Sequence, residues 1–223
     1  MSQDLLLYWS GGKDSAMALY DLGAADRYKN DYCVSRLLTT LTRDFDRISG
    51  HGVRNSVLDR QVECIGIDVH KTYISAGSEM HEYDSVIEEA LREHKCRGVI
   101  GAATGDIFIE KRRMSMLRRL GLLSCFPLQK QPSADHMKRV LELGFKAYVV
   151  CVDSGVLDSS FVGCQLNHEF LNKLPSTVDP CGENGEYHTF VYDGPIFKTP
   201  VKCNLGIKVF REGFYFADVV LDG

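Results

Sequence analysis

The sequence predicts a doubly wound α/β fold with a mostly parallel sheet, followed by a smaller α+β domain. Three observations carry this. Apolar runs of strand length, at residues 5–9, 37–41 and 98–103, alternate with helical patterns, which is the mark of parallel βαβ units. The first run feeds directly into a glycine-rich turn and then a good helix former. The character of the chain shifts near Ser124, which divides it into expected domains of residues 1–123 and 124–223.

The first strand is Leu5-Leu6-Leu7-Tyr8-Trp9, and the turn that follows is Ser10-Gly11-Gly12-Lys13-Asp14-Ser15. That junction suits an anion. Glycine lets the backbone approach a ligand with no Cβ in the way. The first N–H groups of a helix lack internal partners, and its dipole favours negative charge at that end. Lys13 adds a full positive charge, Asp14 and Ser15 suit the first turn, and the Ser10 and Ser15 hydroxyls can reach a phosphate or a metal. The turn is not a Walker A loop, which needs G-x-x-x-x-G-K-[ST]. It resembles the signature of the PP-loop ATP pyrophosphatase superfamily, with its Rossmann-like domain. That resemblance implies an ATP site and cleavage of ATP between the α and β phosphates, often to adenylate a substrate.

Bulk composition narrows the class. At 223 residues, 44% hydrophobic and 25% charged, the chain can build a core without metal or disulfide staples. A net charge of −4 gives no general nucleic-acid or membrane-surface binder. No apolar run has membrane length, and Met1-Ser2-Gln3-Asp4 lacks the basic start of a signal peptide, so a cytoplasmic location is expected. Eight cysteines include no C-x-x-C, so neither a zinc knuckle nor a thioredoxin-like site is indicated. Those in apolar runs, such as Cys151, read as small core residues.

After the second strand, Thr39 and Thr40 stand at a carboxyl end, where α/β sheets place ligands. Ser49-Gly50-His51-Gly52-Val53-Arg54 suggests a mobile loop over a site, and a plain surface loop fits as well. Residues 56–61 read as a helix and 63–69 as a third strand. A helix from Ser78 places Met80, Tyr83, Ile87, Ala90, Leu91 and His94 on one face, with its acids mostly solvated. The fourth strand, 98–103, ends in Thr104-Gly105-Asp106, where small residues again allow close approach and Asp106 could hold Mg²⁺ or a ribose. Glu110-Lys111-Arg112-Arg113 reads as a solvated helix face or a phosphate-steering cluster. Beyond the boundary come a short strand at 125–128, a turn with a helix cap at Gln131-Pro132-Ser133, a helix to Leu143 closed by Gly144, and a strand at 146–152.

The second informative stretch is residues 179–195. Pro180, Gly182 and Gly185 force turns, and Asn184-Gly185 is a strong tight-turn pair. Glu183, Glu186 and His188 fall together before a strand at 188–192. Two carboxylates and an imidazole there could hold Mg²⁺, receive an amine or move a proton; a polar hairpin whose acids face water fits equally.

Ser10 to Ser15, Gly105-Asp106-Ile107 and residues 179–195, in this order and spacing, resemble the diphthine–ammonia ligase family of PP-loop ATPases over essentially the whole chain. The resemblance implies an N-terminal nucleotide domain and a C-terminal domain that completes the substrate site. It implies an amide ligase that adenylates a carboxylate and transfers ammonia to it, releasing AMP and pyrophosphate. ATP and Mg²⁺ are the implied cofactors. By position, Ser10, Gly11, Gly12, Lys13, Asp14 and Ser15 would cradle the phosphates. Thr39 and Thr40 would flank the adenosine, and Gly101, Thr104, Gly105 and Asp106 would close the pocket, with Asp106 as metal ligand. Lys13, Asp14, Glu183, Glu186 and His188 would carry the chemistry, while His51, Gly182, Asn184 and Gly185 would line the substrate side. Asn184 stands where archaeal and eukaryotic members tend to have a glycine, and His188 where they have an acid; both look like the bacterial branch. The expected partners are a carboxylate, as small molecule or modified protein side chain, and ammonia, with no nucleic acid, no membrane and a homodimer. A non-catalytic ATP-binding regulator and a tRNA-modifying PP-loop enzyme are the alternative readings.

Overall fold

The computed structural model describes residues 3–24, 31–107 and 111–222. Met1, Ser2 and Glu110, used in the sequence readings above, lie outside the described residues. The chain divides into two compact units. The first takes residues 1–10, 14–46 and 67–130; the second takes 11–13, 47–66 and 131–223.

The first unit is built on a parallel sheet. Its strands are β1 (Gln3–Tyr8), β2 (Tyr32–Thr42), β4 (Val69–Ile74), β5 (Gly101–Ala103) and β6 (Leu123–Cys125). β1 pairs with β2 and β5, β2 with β4, and β5 with β6, all parallel. In space the order is β4-β2-β1-β5-β6, the doubly wound order, which reverses between β1 and β5. Leu5, Leu6 and Leu7 are fully buried, so both faces of β1 are covered, as parallel strands require. On one face Leu6, Tyr8 and Leu38 meet helices α3 (Met80–Cys96) and α4 (Lys111–Arg119) through Ile87, Ala90, Leu91, Met116 and Leu117. Helix α1 (Lys13–Ala24) follows the turn after β1 and buries Ala16, Met17, Ala18 and Leu22.

The second unit holds an antiparallel sheet of β7 (Lys146–Asp153), β8 (Tyr187–Asp193), β9 (Cys203–Arg211) and β10 (Phe214–Leu221), in the order β8-β7-β10-β9. It also holds the two-residue β3 (Arg47–Ile48) and the helices α2 (Asn55–Ile65), α5 (Ser133–Glu142) and α6 (His168–Lys173). β7 is buried from Val149 to Val152, while the edge strand β9 is exposed along most of its length. Burial pushes the Cys151 thiol up to about 12, which makes it a neutral packing residue, as the sequence suggests.

Several expectations are corrected. The strand expected at 63–69 is not there: α2 runs on to Ile65, and Gly66 caps it in the left-handed conformation (φ 84°). Val57, Leu58, Gln61, Val62 and Ile65 are buried at helical spacing, and the short apolar run Cys64-Ile65 could not distinguish the two periods. The strand itself is β4, from Val69. The strand expected at 125–128 is β6, ending at Cys125, because Pro127 cannot donate to a ladder. The fourth strand is limited to Gly101–Ala103. The cap expected at Gln131-Pro132-Ser133 is Pro132, which makes no side-chain cap bond. Met80 begins α3 and is 61% exposed, off the buried face that Ile87, Ala90, Leu91 and His94 make.

Candidate active site

In the first unit Ser10, Asp14, Ser15, Thr104, Gly105 and Asp106 follow the carboxyl ends of β1 and β5, which flank the reversal point, while Thr39 and Thr40 lie within β2 and Gly101 opens β5. Backbone and hydroxyl bonds splice β1 to β2: the Trp9 N–H donates to the Leu38 carbonyl (2.8 Å), and the Thr39 hydroxyl to the Trp9 carbonyl (2.7 Å). The Thr40 hydroxyl pairs with that of Thr72 (2.9 Å), which donates to the Thr39 carbonyl (3.3 Å). Thr39 and Thr40 are therefore buried and hydrogen-bonded within the sheet, with Thr72 as a partner the sequence did not reveal. The Ser10 and Ser15 hydroxyls lie 3.4 Å apart across the turn, with Asp14 in the first turn of α1.

Beyond β5, Gly105 approaches that turn so closely that a Cβ on it would lie 2.5 Å from the Asp14 carbonyl carbon. Here a glycine is needed because two stretches of backbone touch. Gly101 is similar: a Cβ there would come 2.5 Å from the Leu123 carbonyl oxygen on β6. Asp106 is ion-paired with Arg113 (3.2 Å), whose same nitrogen donates to the Thr104 hydroxyl (3.1 Å). The Arg113 guanidinium also lies over the Tyr8 ring at 4.8 Å. Arg113 thus belongs to the constellation through Asp106, which a reading of Glu110-Lys111-Arg112-Arg113 as one charged cluster does not single out.

The second unit holds Gly11, Gly12 and Lys13 with the late motif. The Lys13 side chain is 3% exposed, and its ammonium donates to the Cys181 carbonyl (2.5 Å) and lies over the Tyr187 ring (5.4 Å). Its backbone N–H donates to the Thr189 hydroxyl (3.0 Å). Val191 donates to the Gly11 carbonyl (2.9 Å), and the amide of buried Gln61 donates to both Gly11 and Val191 carbonyls. A Cβ on Gly12 would sit 3.0 Å from the Thr189 carbonyl oxygen. The two stretches singled out in the sequence, 168 positions apart at Lys13 and Cys181, are thus one hydrogen-bonded cluster.

Within residues 179–188, Asp179 accepts from the Cys181 N–H (2.8 Å), and Gly182 (φ 69°) and Gly185 (φ 87°) turn the chain. The Glu186 carboxylate, 5% exposed, accepts from the Asp179 N–H, the Asn184 N–H and the Asn184 side-chain amide (2.8–3.1 Å). Burial alone would push this carboxyl up; the bonds from Asn184 and from backbone N–H groups outweigh it and hold the carboxyl below its ordinary range. A depressed carboxyl stabilises the fold fully above the ordinary pKa, about 4.3, and ceases to do so as pH falls through its folded value. Glu186→Gln places an amide nitrogen among three donors. It is expected to lower stability by about 2 kcal/mol at pH 7 and to flatten the acid limb, as measured by urea unfolding between pH 3 and 7.

Glu183 is half-exposed, Asn184 is exposed, and His188 is half-exposed with its ring 4.5 Å from that of His51. The segment around His51 has a tight form rather than that of a loose loop. Ile48 donates to the Val53 carbonyl and Gly52 to the Ile48 carbonyl, and Arg47 and Arg54 form a bridge. Both arginines then bind Asp218, Arg54 by two nitrogens. His51 approaches the Thr189 carbonyl (3.3 Å). Gln61 and Asp218 were missed by sequence reading. A glutamine on the apolar face of α2 was the one local signal for the first; Asp218 has none, because its partners lie 164 and 171 positions away.

A parallel sheet reversing at its first strand, with a glycine–glycine–lysine turn leading into a helix, defines an α/β protein of the PP-loop class. Residues 4–124 match the profile of the diphthamide synthase N-terminal domain, and residues 132–220 that of the diphthamide synthase C-terminal domain. The chain belongs to the diphthamide synthase family. It is 25% identical to the diphthine–ammonia ligase of Danio rerio over 94% of this chain and 90% of that protein. It is 23% identical to the diphthine–ammonia ligase of Homo sapiens over 94% of this chain and 86% of that protein. Among the described residues no helix is long and apolar enough to cross a membrane.

Proposed function

We propose that this chain is an ATP-dependent amide ligase that adenylates a carboxylate and transfers ammonia to it. The observation that carries the reading is the buried Lys13 ammonium, hydrogen-bonded to the late motif at Cys181; the family's diphthine–ammonia ligases supply the reaction class.

A carboxylate oxygen attacks the α-phosphorus of ATP, and the bond to the bridging oxygen of the β-phosphate breaks. Pyrophosphate leaves with that electron pair, and an acyl-adenylate forms. Ammonia then attacks the acyl carbon, the bond to the AMP oxygen breaks, and the nitrogen loses a proton to give the amide. Ser10, Gly11, Gly12, Asp14 and Ser15 bind the triphosphate through N–H groups, hydroxyls and the start of α1. Lys13 stabilises charge on the departing pyrophosphate, the contribution expected to dominate. Thr39, Thr40, Gly101, Thr104 and Gly105 shape the nucleoside side.

Glu183 and His188 act on the ammonia side, His188 oriented by His51, to orient the amine or accept its proton. Gly182, Asn184 and Gly185 set the turn that carries them, and Glu186 holds that turn in place. The carboxylate of Asp106 offers the oxygen chemistry that Mg²⁺ takes, beside an arginine that balances its charge. Bound with ATP, Mg²⁺ would neutralise phosphate charge. ATP use supports a cytoplasmic location as part of the same reading, and a homodimer remains within it.

The test is exchange of labelled pyrophosphate into ATP with diphthine and a panel of carboxylates, followed by amide formation on adding ammonium. Carboxylate-dependent exchange, with AMP as the nucleotide product, is expected. Release of ADP instead, or ATP binding with no exchange for any carboxylate, overturns the proposal.

A further inference from the structure

Away from these residues, on the first unit, β4 and α3 bring together His70, Glu93 and His94. Each offers one ligand atom, and the three atoms lie within 4.8 Å of one another. His94 Nε2 and His70 Nδ1 are 3.1 Å apart, with the rings nearly perpendicular at 78°. Zinc bound tetrahedrally at about 2.0–2.1 Å sets two ligand nitrogens about 3.3 Å from each other. The imidazole pair already stands close to that edge length. His70 is the second residue of β4, opposite Leu38, and His94 lies in the last turn of α3; nothing in the proposed reaction uses them.

We propose that His70, His94 and Glu93 form a binding site for a divalent transition metal of the zinc type. Two imidazole nitrogens and one carboxylate oxygen are the donor set of zinc sites with three protein ligands and an open fourth position. The same set selects against Mg²⁺ and Ca²⁺, which take oxygen ligands. His94 is 3% exposed on the apolar face of α3, beside Ile87, Ala90 and Leu91. Loading requires the proton between the two rings to leave and the Glu93 carboxylate to turn from Arg97. That pair (2.7 Å) is exposed and of the weak surface kind. Once bound, the metal fastens the start of β4 to the end of α3, and so it stabilises the folded state by mass action.

The test uses the whole chain after treatment with a chelator. Zn²⁺ is titrated against a chromophoric chelator, Co²⁺ is followed by visible absorption, and the melting temperature is read with and without Zn²⁺. One equivalent of Zn²⁺ is expected, with a rise in melting temperature and no displacement by excess Mg²⁺. Partly exposed His70→Ala and exposed Glu93→Gln, each checked for native circular dichroism, remove direct ligands and should each weaken binding by more than the about 10-fold that loss of an outer-shell partner costs. Because eight cysteines could hold zinc elsewhere, affinity unchanged in both variants overturns the site. So does the absence of Zn²⁺ binding, or its displacement by Mg²⁺.

Discussion

Lys13→Met is expected to lower pyrophosphate exchange by about 10²–10³-fold, the loss typical of removing one donor aimed at developing charge, while leaving the fold intact. Methionine matches the length and burial of the lysine stem, so the packing of a side chain 3% exposed is nearly kept. What disappears is the charge and the bond to the Cys181 carbonyl. The backbone bond from residue 13 to the Thr189 hydroxyl does not depend on the side chain and should survive. Unfolding by urea reads the structural part, and exchange reads the chemical part. If Lys13→Met is destabilised yet exchanges at the original rate per folded molecule, the lysine is a structural tie and the proposed role falls.

Gly105→Ala should have the largest effect on the first unit. The added methyl would lie 2.5–2.7 Å from the carbonyl carbon and oxygen of Asp14 and the nitrogen of Ser15. All three are backbone atoms, so no rotamer change relieves the contact and the first turn of α1 must move. Overpacking costs about 1–3 kcal/mol and occasionally more, and a clash against backbone belongs at the upper end. The same displacement shifts Asp14 and Ser15, so ATP affinity should fall as well. Gly23→Ala is the counterpart: it is in the same helix with nothing within 4 Å of the added atom. It should gain stability by about 0.5–1 kcal/mol, the usual difference between the two residues in a helix. Thermal unfolding and ATP titration of the two variants should move in opposite and unequal ways. Equal stabilities would mean that the approach of Gly105 to Asp14 is not as close as described.

The fold was legible where local chemistry and tertiary structure agree. Leu5-Leu6-Leu7 reads as a covered strand and the glycine–lysine turn behind it as the start of a helix, and the structure has both. Legibility failed where a short apolar stretch fits both periods, as at Cys64-Ile65, which continues α2 instead of opening a strand. At the candidate site the residue types were visible and their partners were not. Glu186 carries the same carboxylate whether it meets a substrate or ties a turn, and only its three hydrogen bonds identify the second use. The glycines at 11, 12 and 105 were read as making room for a ligand. They also make room for Gln61, Thr189 and Asp14, which no local pattern announces. Asp218 with Arg47 and Arg54, and His70 with His94, join positions whose proximity exists only after folding.

Residues 11–13 and 47–66 are grouped with the C-terminal unit, although the sequence around them belongs to the other one. The polypeptide therefore threads back and forth before it settles into its final stretch. A gene fragment starting at position 131 would leave out Gln61 and the glycines it braces. Residues 131–223 alone would also lack Lys13, whose ammonium reaches the Cys181 carbonyl.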